Sequence, residues 1–134
     1  MAAKIFLGIS GLVFAGYGLA CLASPTIVAD ATGMQLATGT ASVEVRAMYG
    51  GLQTAIGLLA LLGVARDALR APILLCLGVL FFGLASGRLV GIAVDPDPGS
   101  YNFGALAYEA VSAAIALALL SRSPSAVGSP AEVS

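Results

Sequence analysis

The sequence predicts an all-α integral membrane protein, a four-helix up-down bundle with both termini on the cytoplasmic side. Three observations carry that expectation. Of the 134 residues 59% are hydrophobic and 10% charged, and the mean hydropathy is +1.00, which excludes a disordered chain and an ordinary soluble domain. The apolar residues fall into four runs that each reach the roughly 20 residues needed to cross a bilayer as a helix. None of these runs alternates polar and apolar residues as a barrel strand does, and lipid cannot satisfy an unpaired backbone group, so the spans must be helical.

The first span covers about residues 5–24, uncharged after Lys4 and closed by Ser24 and Pro25. A rival reading, a secretory signal cleaved before Cys21, is weakened by Gly18, a poor residue three places before that cysteine. Residues 25–41 hold one acid, no base and the helix breakers Pro25, Gly33 and Gly39. They read as a loop on the membrane surface, with Ile27, Val28, Met34 and Leu36 dipping into the interface.

The second span, about residues 43–65, starts from Ser42 as N-cap and carries Glu44 at the positive end of its helix, where a carboxylate is favoured. The short link from Arg66 to Arg70 makes the second and third spans an antiparallel hairpin. The third span, about 72–94, presents Gly83, Gly87 and Gly91 as a small-residue face on which another backbone can approach closely. Asp95 to Asn102 is a turn by composition, and the fourth span, about 103–121, contains Glu109. One domain of four spans therefore occupies 1–122, and the Ser- and Pro-rich residues 123–134 are expected to form a flexible cytoplasmic tail.

Orientation follows from the basic residues. Lys4, Arg66, Arg70 and Arg122 flank one side, and Asp30, Asp95 and Asp97 the other, which places both termini in the cytoplasm by the positive-inside rule. With no basic run, a nucleic-acid partner is excluded. Histidine is absent and cysteine occurs twice, so no metal and no cofactor is expected. Cys21 and Cys76 fall near opposite ends of the bundle, too far apart for a disulfide, and read as small apolar residues. Tryptophan is also absent, which leaves Tyr17, Tyr49, Tyr101 and Tyr108 to form the interfacial belt.

The polar residues inside the spans are the candidate site. At 100° per residue Arg46, Tyr49, Gly50, Gln53 and Gly57 follow one helix stripe. Threading the spans in alternating directions brings Glu44, Arg46, Arg88 and Glu109 to the non-cytoplasmic side, where their charges sum to zero. A charge facing lipid at the depth of Arg88 or Glu109 costs several kcal/mol, so the two are expected to pair inside the bundle. Tyr49, Gln53 and Tyr108 would complete their hydrogen bonding. Such a lattice either fixes helix register or lines a pocket open to a lipid headgroup. A carboxylate and a phenol together could orient or protonate an epoxide or an alkene, but Arg neighbours hold Glu44 and Glu109 ionised, which argues against acid catalysis.

The order E-x-R-A-x-Y-G-G-x-Q-x-x-x-G from Glu44 to Gly57, then G-R-x-x-G from Gly87 to Gly91, then a lone Glu109 in the last span, resembles a bacterial family of small four-helix membrane proteins known as domain of unknown function 4345. The likeness runs from Ile5 to Leu120. It implies the four-helix fold and an emphasis on Glu44, Arg46, Tyr49, Gln53, Arg88 and Glu109, and it brings no activity with it. A chain of this size, rich in Ala, Gly and Val, is also similar to the small accessory subunit of actinobacterial mammalian-cell-entry lipid importers. The expected setting is therefore a bacterial cytoplasmic membrane. The expected function is that of a non-enzymatic accessory subunit, docked on a larger membrane protein through Gly83, Gly87 and Gly91 and associated with lipid uptake. The alternative is a small protein that binds, or acts on, an apolar lipid-like molecule through the polar cluster.

Overall fold

The computed structural model describes residues 1–96 and 98–122; the expected tail at 123–134 and Asp97 lie outside them. Among the described residues the secondary structure is entirely helical. Helix α1 runs Ala2–Ala23, α2 Thr26–Thr32 and α3 Gly39–Val45. The last continues through a π-helical turn, Arg46–Gly51, into α4, Leu52–Ala65. After a 3₁₀ turn at Asp67–Leu69 come α5, Arg70–Val94, and α6, Gly99–Ser121. Four stretches, Ala2–Ala23, Gly39–Ala65, Asp67–Val94 and Gly99–Ser121, are long and apolar enough to cross a membrane, as in a multi-pass membrane protein.

Glycine decides which spans touch. A Cβ on Gly57 would lie 2.3 Å from the backbone nitrogen of Ala15, and one on Gly18 2.4 Å from that of Thr54. Only glycine lets α1 and α4 come this close, and the gain is van der Waals contact along the whole pair, the main attraction between helices in lipid. The contacts run antiparallel, with Gly50 beside Leu22 and Gly11 beside Leu61. Helices α5 and α6 form the second close pair, also antiparallel, with Gly78 against Leu117. The expected hairpin of the second and third spans is thus a connection more than a packing unit, because α4 and α5 meet mainly near the link, where Gly63 faces Ile73. A buried core of Leu7, Phe14, Ala60, Ile73, Leu74, Leu77, Phe81 and Ala113 joins the two pairs.

Three boundaries depart from expectation. Residues 26–32 are helical rather than a loop: Gly33 ends α2 in the left-handed conformation, φ 74°, which glycine adopts without steric cost. Val28 is fully buried there against Cys21 and Val45, with Ile27 and Leu36 packed around them, so this segment closes one end of the bundle. Thr38, not Ser42, is the N-cap of α3: its hydroxyl accepts the Ala41 N–H at 3.2 Å. Helix α6 begins at Gly99, φ 66°, four residues earlier than composition indicates, which makes Tyr101 and Asn102 helical. At the opposite end, Lys4 and Arg70 both pair with Asp67, tying the start of α1 to the link before α5.

Candidate functional site

The end of the bundle next to α2 holds the intramembrane charges. Arg88, on α5, lies six residues before Val94, about 9 Å from the helix end at 1.5 Å per residue. Glu109 lies ten residues into α6, about 15 Å from its start. The long Arg side chain spans the difference and binds the carboxylate with two parallel hydrogen bonds. Nε donates to Oε2 at 2.9 Å and Nη2 to Oε1 at 2.8 Å. Nη1 donates to Oδ1 of Asn102 at 2.6 Å, and Asn102 in turn donates through Nδ2 to the carbonyl of Pro98, one turn back. The Arg88 guanidinium also lies over the Tyr101 ring, 5.8 Å from its centroid, within cation–π range. Glu109 is 6% exposed, so its charge is met by Arg88 rather than by solvent, in the strongest geometry available to such a pair.

Beside this pair is a cavity of about 230 Å³ to which all four spans contribute. Val13, Phe14 and Tyr17 come from α1, Tyr49 and Gln53 from the second span, Phe81, Leu84 and Arg88 from α5, and Tyr101, Ala105, Tyr108 and Glu109 from α6. Phe81 anchors the aromatic wall, edge-to-face with Phe14 at 5.4 Å and with Tyr108 at 5.8 Å. Tyr17 and Tyr49 also pack on the buried Cys21, Val28 and Val45, so the α2 segment backs that side of the chamber. Gln53 Oε1 is buried without a hydrogen-bond partner.

Of the six residues singled out in the sequence, the structure gathers Tyr49, Gln53, Arg88 and Glu109 around this cavity and leaves Glu44 and Arg46 outside it. The reason is the π turn. The N–H of Leu52 bonds the carbonyl of Ala47, five residues back, and this extra residue rotates whatever precedes it by about 100° relative to a continuous α-helix. Glu44 is exposed. Arg46 turns to the end of α1, where its Nη1 donates to the carbonyls of Leu22 and Ala23, groups that the helix terminus leaves unpaired.

Gly83 and Gly87 have no atom within 4 Å of where a Cβ would stand, and Gly91 has only the Asp95 carboxylate at 3.7 Å. The glycines that bring α1 and the second span together are Gly11, Gly18, Gly50 and Gly57 instead. Their seven-residue spacing, two turns on each helix, was a signal available in the sequence. Sequence reasoning also missed Asn102, read as a turn residue, and gave Tyr17 and Tyr101 no role beyond the interfacial belt expected of all four tyrosines; all four border this cavity. Cys21 and Cys76 are free thiols. Among the described residues no three His, Cys, Asp or Glu side chains come together as a metal site.

A helical bundle with a charge-balanced, phenol-lined pocket between its spans defines a class: a small four-span membrane protein with a partly open cavity among its helices. The chain belongs to the family described as domain of unknown function (DUF4345), whose profile matches residues 2–120. No curated protein and no solved structure matches it, and the importer resemblance has no relative behind it.

Proposed function

We propose that this protein is a membrane-embedded binding protein for a small amphiphile, held in the cavity between the four spans. The observation that carries the proposal is the cavity itself, about 230 Å³ with polar groups converging from all four spans beside an internally neutralised ion pair. An engineered apolar cavity of about 150 Å³ holds a benzene ring, so a ring or short branched group fits this one. Glu109 serves as the fixed counter-charge of Arg88, and the role is binding rather than acid catalysis. The test is mass spectrometry of small molecules extracted from protein purified in its native lipid, compared with Ala105→Phe, which fills the chamber. A molecule retained by the wild type and lost from the variant is expected; identical content in both would remove the reading.

A second reading is favoured by the open Gly83 and Gly87 positions. It makes the protein an accessory subunit on which one helix of a larger membrane protein lies along α5. Co-purification at fixed stoichiometry that Gly87→Leu abolishes would support it, and a monodisperse, fully active monomer would count against it. In both readings the protein sits in a bacterial cytoplasmic membrane with its termini inside, because Lys4, Arg66, Arg70 and Arg122 flank the end away from Asp30 and Asp95.

A further inference from the structure

We infer that the cavity selects an uncharged ligand head carrying a hydrogen-bond acceptor, a ketone, ester or ether oxygen, with an apolar remainder. The inference rests on the binding role proposed above and adds the chemistry of the ligand.

Charge comes first. An anionic head needs a cation free to meet it, and the cation of this cavity is already matched: Arg88 is held by both oxygens of Glu109 and by Asn102. A cationic head needs a free carboxylate, and both oxygens of Glu109 are bound to the same guanidinium. Moving either kind of ion into the chamber would either break the pair or leave a third charge unpaired, and a charge without a partner beside a buried carboxylate is costly. A neutral head avoids both penalties.

Hydrogen-bond polarity decides the rest. Tyr49 and Tyr101 line the cavity, and no hydrogen bond of either hydroxyl is found among the described residues. Gln53 Oε1 is buried without a partner, so Gln53 shows a ligand no exposed acceptor. Arg88 uses three of its N–H groups on Glu109 and Asn102, out of the five that a guanidinium carries. The N–H groups left over on Arg88 can only donate, and a phenol can donate as well as accept, so an acceptor is the ligand atom that all of them can meet.

The apolar remainder also has a place. A groove of about 480 Å³ runs along the outer surface between α1 and α6, lined by Phe6, Ile9, Ala107, Val111 and Ile115 among others. Tyr108 belongs both to that groove and to the cavity. A head inside the chamber can therefore continue past Tyr108 as a chain lying between these two helices.

The experiment is calorimetry on detergent-solubilised full-length protein at pH 8 with three matched probes, 4-pentylcyclohexanone, 4-pentylcyclohexanecarboxylate and 4-pentylcyclohexylammonium. Affinities are corrected for partition into the micelle. The ketone is expected to bind one per chain and about tenfold or more tighter than either ion. The double variant Tyr49→Phe/Tyr101→Phe, checked for unchanged helicity, is expected to weaken the ketone about tenfold and to leave the weak binding of the ions as it is. Equal affinity for all three probes, all lost in Ala105→Phe, would overturn the inference while leaving the binding role intact. Ketone affinity unchanged in the double Phe variant would likewise overturn it. Failure of Ala105→Phe to change the binding of any probe would overturn the binding role and the inference together.

Discussion

Arg88 and Glu109 each carry a charge that only the other neutralises, and that makes their substitution asymmetric. Glu109→Leu leaves a guanidinium inside the bundle without its carboxylate and is expected to cost about 3–5 kcal/mol. Arg88→Met/Glu109→Leu removes both charges and is expected to recover most of that loss, as read by thermal unfolding in detergent. A double variant as unstable as Glu109→Leu would show that the pair holds the helices together rather than merely needing a partner. Arg46 is a different case despite its similar appearance in the sequence. It is exposed and bonds the last carbonyls of α1, so Arg46→Ala should cost only about 0.3–1 kcal/mol and leave ligand affinity unchanged in the calorimetric assay. The pairing of Arg88 with the lone carboxylate of the last span was legible in the sequence, since alternating spans bring two charges inside adjacent spans to the same side, where facing lipid would be costly. The separation of Arg46 from Gln53 was not, because a stripe drawn at 100° per residue assumes an unbroken α-helix and the π turn lies between them.

At the scale of the helices, glycines that look alike divide sharply by what stands opposite them. Gly57 faces the backbone of Ala15 and Gly87 faces nothing within 4 Å. Gly57→Ala should force α1 and α4 apart and lower stability by roughly 1–3 kcal/mol, the usual range for overpacking. Gly87→Ala should leave the isolated protein as stable or slightly more so, since alanine is the better helix former; both are measured by chemical or thermal unfolding. A destabilising Gly87→Ala would mean that this face is packed within the monomer. Hydropathy placed the four spans because runs of this length have no other use in a single chain. It could not place the first turn of α6, where Pro98 and Gly99 carry the composition of a turn, yet Gly99 at φ 66° is the residue that lets the chain enter the helix. The same composition hid α2, whose seven residues are set off by Pro25 and Gly33.

For the molecule as a whole, the relevant division is into two close pairs, α1 with α4 and α5 with α6, joined through a core that sits mostly away from the charged end. The cavity lies where the pairs are least tightly joined, and a ligand that touches both acts as a clamp. A neutral ligand at 100 times its Kd should therefore raise unfolding stability by about 2.7 kcal/mol. The rise should vanish in Ala105→Phe, and a rise of equal size in that variant would place the ligand elsewhere.

The distribution of aromatic residues gives the protein a built-in optical probe. Tryptophan is absent and the four tyrosines all border the same chamber, so near-ultraviolet absorbance and emission originate from its walls, and phenylalanine contributes little at these wavelengths. Any molecule entering the chamber should perturb the whole of that signal without a label, and a lipid settling on the outer surface away from those rings should leave the spectrum unchanged.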